Sequence, residues 1–256
     1  MKILFGLKAW STNLGIIDTA EKLYDEGDLD YIELFAVPDS FQACANAWKG
    51  KRIPFIIHAP HSMSGLNFSK PEMEVANIEL AEQSFRWADL IHADTVIFHP
   101  GTGGTLQETI RQASKLRDSR MIIENKPRDG LDGSICVGSN PEELEMLTGT
   151  LGVGFCLDFG HAIEAANSYG EEPIGFVKQF LDLKPLMFHM TDGDYSGKMD
   201  RHDAYGKGDF PLDTLLSMVP SGFRLTDEAK RKYPESLDEY LADRNFVRGI
   251  LEAKAQ

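Results

Sequence analysis

The sequence predicts an α/β chain folded as one (β/α)8 TIM barrel across residues 1–256, and three observations carry that expectation. Eight short apolar runs recur at residues 3–7, 31–34, 55–57, 95–98, 121–123, 153–157, 186–188 and 223–225, their starts 24 to 40 residues apart. A strand with its loop and crossover helix needs about 30 residues. Helical patterns fill the gaps. The rival doubly wound sheet wants a glycine-rich turn after its first strand, and Leu7-Lys8-Ala9-Trp10-Ser11 stands there instead. Neither a linker nor a repeat beyond the βα unit breaks the chain, so one domain is expected.

The first run stops at Lys8 and is too short for a signal-peptide core. The second leads into Phe35-Ala36-Val37-Pro38-Asp39-Ser40, and the third ends at His58. Pro71 then precedes Met73, Ala76, Leu80, Ser84, Trp87 and Ile91, spaced by three and four as on one helix face. The fourth run ends at His99, before Gly101-Thr102-Gly103-Gly104. That segment lacks the Lys-Ser/Thr ending of a phosphate loop and reads as a flexible connection. The fifth ends at Glu124, and Asn140-Pro141 then gives an N-cap with proline at the first helical position. The sixth ends at Asp158 and the seventh at His189. Leu215, Leu216 and Met218 mark a core helix before the eighth run, and a last helix is expected over 234–251. Trp48 and Trp87 lie in helical stretches and read as core.

Composition narrows the class. No apolar run approaches the roughly 20 residues that cross a bilayer, so no membrane partner is expected. Cys44, Cys136 and Cys156 have no CxxC spacing and read as reduced thiols of a cytoplasmic protein. The net charge is −14, with 26 basic against 40 acidic side chains. That balance disfavours a broad basic surface for nucleic acid. Residues 221–256 are balanced, so the whole excess lies in residues 1–220, where bound divalent cations would offset it.

The polar residues fall in a pattern. Five consecutive strands end in His58, His99, Glu124, Asp158 and His189, all able to bind metal. His161 follows Asp158 by three residues, and Asp200 and His202 lie in the loop after strand seven. In a barrel, the C-terminal strand ends and their loops form the active face. Counting back by two puts Thr95, Ile97, Ile122, Gly154, Cys156 and Met187 inward, and Val96, Phe98, Ile123, Phe155, Leu157 and Phe188 outward under the helices. His99, Glu124, Asp158 and His189 should therefore converge inside the mouth. A mixed His/Asp/Glu set without thiolate suits Zn2+, Mn2+ or Fe2+. Eight donors exceed one tetrahedral zinc and match two or three ions sharing a carboxylate, an arrangement that favours phosphoryl chemistry. Arg201, between Asp200 and His202, is the phosphate candidate; Lys126 and Arg128 are either anion contacts or solvated loop residues, and Trp10 either stacks on a sugar or base or packs. No protein partner is implied.

The strings Ile57-His58-Ala59-Pro60, Phe98-His99-Pro100-Gly101, Ile123-Glu124-Asn125, Cys156-Leu157-Asp158-Phe159-Gly160-His161-Ala162, His189-Met190-Thr191-Asp192 and Asp200-Arg201-His202 with Lys207-Gly208 occur in order. Together they resemble the endonuclease IV branch of the xylose-isomerase-like barrels, from about His58 to Gly208. The resemblance implies cleavage of DNA at abasic sites through three zinc ions. His58 and His99 would hold the first, Glu124 would bridge it to a second held by Asp158 and His189, and His161, Asp200 and His202 would hold the third. It further implies a hydroxide between metals attacking phosphorus while the third ion stabilises the departing 3′-oxygen. Variants of these strings also occur in sugar isomerases and epimerases of the superfamily, so a single-metal isomerase or epimerase is the second expectation.

Three departures stand out. Thr226 occupies the place of the glutamate that ends strand eight in the family. The DNA-penetrating residues after strands two and three are replaced by the Phe35–Ser40 segment and His61-Ser62-Met63. The −14 charge disfavours a polyanion, though three zinc ions would bring it to about −8; a smaller phosphodiester or a sugar phosphate is the substrate alternative. On strand eight, Phe223 and Leu225 take the outward phase with Asp227, leaving Arg224, Thr226 and Glu228 inward. Either strand eight supplies no carboxylate or Glu228 reaches in, and Glu228 is the metal-ligand candidate.

Overall fold

In a computed structural model, which describes residues 2–253, eight parallel strands close in the order β1 to β8, each strand paired with its successor and β1 with β8. The strands are β1 (Leu4–Trp10), β2 (Tyr31–Phe35), β3 (Phe55–His58), β4 (Val96–Phe98), β5 (Met121–Glu124), β6 (Gly154–Asp158), β7 (Met187–Met190) and β8 (Arg224–Asp227). Around them run α1 (Ile17–Glu26), α2 (Phe41–Trp48), α3 (Glu74–Ile91), α4 (Leu106–Ala113), α5 (Pro141–Leu151), α6 (Phe159–Tyr169), α7 (Pro173–Asp182), α8 (Leu212–Met218) and α9 (Asp238–Ala253). This is a single TIM-barrel domain, as the spacing of the runs requires.

Strand alternation divides the apolar residues into two layers. Leu4, Tyr31, Ile56, Ile97, Ile122, Cys156 and Met187 fill the barrel interior, while the opposite phase joins the shell under the helices. The inward phase expected for strands four to seven is the one observed. Gly6 is glycine for a steric reason: a Cβ there would stand 2.3 Å from the Tyr31 ring, which crosses the interior to reach Thr226. Trp48 and Trp87 are fully buried, as expected.

Two local expectations need correction. In α3 the first half of the buried face runs through Asn77 and Ala81, and Ala76 is exposed. Asn77 goes inward because its amide bonds both Asn67 backbone groups and the Gln112 side chain, so a polar residue occupies the core side fully satisfied. The Gly101–Gly104 segment is fixed rather than flexible. Thr102 exchanges hydrogen bonds with Asn67 at 2.9 and 3.0 Å, and a Cβ on Gly104 would lie 1.7 Å from the Ser69 carbonyl oxygen. The Asn140 cap is as expected, its side chain accepting from the Glu143 amide at 2.9 Å.

Candidate metal centre

Five consecutive strands, β3 to β7, deliver a metal-competent residue to the mouth of the barrel. His58, Glu124 and Asp158 end β3, β5 and β6, His189 lies within β7, and His99 follows β4 by one residue. The ends of β5 and β6 are clamped together by Asn125, whose amide donates to the Asp158 carbonyl at 3.0 Å and accepts from the Asp158 N–H at 2.7 Å. One Asp158 oxygen caps α6 by accepting from the His161 N–H at 2.8 Å. That bond sets His161 one helical turn above the barrel beside Asp158.

The loop carrying Asp200 and His202 is longer and is held by Asp192. Its buried carboxylate accepts from the backbone N–H groups of Gly193, Gly206, Gly208 and Phe210 at 2.9 to 3.1 Å. Gly208 is required there, since a Cβ would lie 2.1 Å from the Gly193 carbonyl oxygen. His202 takes the left-handed backbone conformation with φ of 52°, which costs a residue with a Cβ roughly 1–2 kcal/mol. Strain of this kind marks positions where the surroundings over-determine a side chain.

Four groups of donor atoms lie within 4.8 Å of one another: His58, His99 and Glu124; Glu33, His58 and Glu228; Glu124, Asp158 and His161; and Glu124, His189 and Glu228. Glu124 belongs to three of them. Its Oε2 is 3.1 Å from Nε2 of both His58 and His99, and its Oε1 is 3.1 Å from His161 Nδ1. Asp200 Oδ2 lies 3.3 Å from His161 Nε2 and also contacts His202 Nε2, but these three residues do not form a group that compact.

The donor set fits bound cations. In three of the histidines one ring nitrogen is held by a partner away from Glu124: His58 Nδ1 by the Ala59 carbonyl at 2.6 Å, His202 Nδ1 by the Glu228 carbonyl at 2.9 Å, and His189 Nε2 by Glu33 at 2.8 Å. Each such bond places the ring proton outside and turns the other nitrogen's lone pair inward, the habit of metal-bound imidazole. Glu124 Oε1, His189 Nδ1 and Glu33 Oε1 are buried with no hydrogen-bond partner. Orphaned polar atoms in a water-poor interior are costly; a bound cation would satisfy Glu124 Oε1 and His189 Nδ1, while Glu33 Oε1 lies 3.6 Å from the Lys8 ammonium.

The electrostatics agree with a site built for positive charge. Burial pushes Asp158 up, only partly offset by His161, with Glu124, Glu228 and Asp200 adding to the rise. Burial alone would also raise Glu124, but His99 and His189 outweigh it and hold that carboxyl well below its usual range. Against the pull of burial, Asp158 raises His161, Cys156 and Glu228 raise His189, and Asp200 raises His202. His61 stacks on His99 and meets the Phe35 ring at a tilt at the edge of the cluster, and burial and His58 push it down to about 3. Glu164, one turn beyond His161, is pushed up to about 9 by burial and by Asp200.

Among the sequence candidates, His58, His99, Glu124, Asp158, His161, His189 and Glu228 converge, with Asp200 and His202 one step outward. Glu228 reaches in on the phase of Thr226, whereas Asp227 points out to Arg231 at 2.5 Å. Arg201 is not brought in: it is exposed and pairs with Asp203 at 2.8 Å. Lys126 contributes its charge, which lowers His99 and opposes the rise of His161. Trp10 stands half exposed at the mouth, its ring 6.2 Å from Phe35.

Two residues escaped the sequence reading. Glu33 is fully buried, accepting from His189 at 2.8 Å and from the Thr226 hydroxyl at 2.7 Å, while the Tyr31 hydroxyl bonds Thr226 at 2.7 Å. Lys8 lies 2.6 Å from Glu228 and 3.6 Å from Glu33. Burial works against its charge, but Glu228, Glu33 and Glu124 keep the ammonium above its ordinary range. The available signal was a lone ionisable residue inside an apolar run, in Tyr31-Ile32-Glu33-Leu34-Phe35 and in Leu7-Lys8-Ala9-Trp10.

The family described as xylose isomerase-like TIM barrel matches residues 20–250. An apurinic-apyrimidinic endonuclease of Caenorhabditis elegans is 26% identical over 237 residues, covering 78% of this chain and 58% of that protein. The chain spans about three fifths of the length of the curated relatives it matches. Among solved structures, endonuclease IV from Thermus thermophilus aligns with a TM-score of 0.75 at 22% identity, covering 97% of this chain and 99% of that one. A D-tagatose 3-epimerase-like protein aligns with a TM-score of 0.71 at 17% identity, covering 97% of each chain. At these identities the structural likeness speaks for the fold.

Proposed function

The chain belongs to the xylose isomerase-like TIM barrels, and from that premise we propose that it is a metal-dependent phosphodiester hydrolase acting on abasic DNA, with zinc as the favoured metal and manganese as the alternative. The observation that carries the proposal is the surplus of inward donors around one shared carboxylate, Glu124. A one-metal isomerase or epimerase has no use for His58, His99, Asp200 and His202 together. Among the described residues no helix is long and apolar enough to cross a membrane, and the three buried free thiols suit the reducing cytoplasm.

In this proposal His58 and His99 hold one ion with Glu124, and Glu124, Asp158, His189 and Glu228 hold a second. His161 with Asp200 and His202 forms the outer part of the centre. Bound divalent ions there supply an acidified water nucleophile and neutralise charge on the phosphate. The chain's own part is to fix the geometry. Asn125 keeps Glu124 and Asp158 side by side, and Asp192 holds the loop of Asp200 and His202 against them. Arg201 reaches a phosphate by exchanging Asp203 for the substrate. Phe35, Trp10 and His61 form an aromatic rim on which a base or sugar stacks.

The test uses metal-replete protein and duplex DNA carrying one abasic site, at low salt because the chain is acidic. Incision 5′ to the site, abolished by EDTA and by Glu124→Ala, is the expected result. Intact duplex, together with interconversion of a ketose and its epimer, would replace the proposal with the isomerase reading.

A further inference from the structure

Register fixes an unusual row of charges at one level of the barrel. Lys8 on β1 stands opposite Glu33 on β2, and the β1–β8 ladder pairs Gly6 with Thr226 and Leu7 with Asp227, so that Glu228 comes next beside Lys8. All three point inward, as the contacts among their side chains require. Three adjacent strands therefore present carboxylate, ammonium and carboxylate side by side, by backbone pairing rather than by a flexible surface contact. The Lys8 side chain is 13% exposed, and those of Glu33 and Glu228 are 0% and 4%.

The ammonium lies inside one of the four donor groups. Glu33, His58 and Glu228 bring their ligand atoms within 4.8 Å of one another. Lys8 Nζ is 2.6 Å from Glu228 Oε1 and 3.6 Å from Glu33 Oε1, an oxygen with no hydrogen-bond partner. A divalent ion in this group would meet an ammonium at close range with little water between them, and like charges repel strongly there. The other three groups all use Glu124 and none contains Glu33, although one shares His58 and another Glu228 with this group; only here do two carboxylates flank the ammonium.

We propose that Lys8 is a built-in cation that fills the Glu33–His58–Glu228 group, so that divalent ions bind only in the groups that share Glu124. The proposal rests on the metal-centre reading above and adds to it a limit on the number of ions. It also bears on the departure at strand eight. Where the family resemblance expects a strand-eight glutamate, this chain has the neutral Thr226, whose hydroxyl donates to the carboxylate of Glu33 two strands round the barrel. That carboxylate serves Lys8 with one oxygen and orients His189 with the other.

The experiment is zinc stoichiometry, by elemental analysis after saturation and desalting, on the whole chain and on Lys8→Met, Lys8→Gln and Lys8→Arg. Both neutral variants should take up one further equivalent per chain, and the arginine variant none. An unchanged or lower zinc content in the neutral variants would overturn the assignment, the lower value making Lys8 a support for a ligand instead. If the unchanged chain binds no zinc, the metal centre falls as well; zinc bound without a gain removes only the role of Lys8. Should the neutral variants not fold, nitrogen-15 NMR of the unchanged chain decides. The Lys8 ammonium signal, assigned by its loss in Lys8→Arg, should persist when zinc is loaded, and its disappearance on loading would overturn the proposal.

Discussion

Removing the charge of Glu33 tests how much of the centre depends on a residue that faces it from behind. Glu33→Gln keeps the volume of a fully buried side chain, so packing changes little. Besides the ion pair with Lys8 at 3.6 Å, what changes at the centre is the bond from His189 Nε2, 2.8 Å long, which passes from a carboxylate to an amide oxygen. Charge-assisted hydrogen bonds contribute about 1.5–3 kcal/mol and neutral ones about 0.5–1.5 kcal/mol. The difference, about 1–1.5 kcal/mol, is a factor of roughly 5–13 in affinity before any change in ring orientation. Loss of such outer partners costs about 10–100-fold in metal affinity, and the lower half of that range is expected here. Chelator competition should show one ion weakened, that bound through His189 Nδ1, while an ion on His58 and His99 keeps its affinity. Tyr31→Phe is the control: it removes only the hydroxyl bond to Thr226, costs about 1 kcal/mol of stability, and should leave metal affinity within about twofold. Unchanged affinity in Glu33→Gln, or equal weakening of every ion, would refute the claim that Glu33 acts through His189.

Two further outcomes follow from the same geometry. Asp192→Asn removes one of two oxygens that together accept four backbone N–H groups; at about 1–3 kcal/mol for each donor left unpaired, the loop of residues 193–210 should gain hydrogen exchange and the zinc contacts of Asp200 and His202 should weaken, while folding of the barrel strands persists. Metal uptake should release protons: the neighbouring carboxylates raise His161, His189 and His202 above the ordinary histidine value, so at these rings an ion competes with a proton more strongly than at an ordinary histidine. Affinity should therefore fall as pH is lowered, and calorimetry in buffers of different ionisation enthalpy should detect the protons; uptake without release would contradict the raised values.

The barrel was legible in the chain because its causes are local and periodic. Eight apolar runs at βα spacing and period-two alternation fix which residues face inward, and the polar residue that closes each run then falls at the mouth. His58, His99, Glu124, Asp158 and His189 follow from that rule alone, and Glu228 follows from extending the phase of strand eight by one step. Apolarity ends a run at the first charge, so the first run stops at Lys8 while β1 continues to Trp10. Glu33 was hidden for the same reason, as a carboxylate within a run judged by its neighbours. Their partnership depends on register across β8, β1 and β2, which only barrel closure creates. The spacing put Ala76 on the buried face of α3, where Asn77 lies instead, because the inward position of Asn77 rests on Asn67 and Gln112, ten and 35 residues away. The sequence determined which side chains arrive at the mouth, since that depends on strand phase. The tertiary structure decided which of them meet, because closing the sheet sets distances that no spacing along the chain encodes.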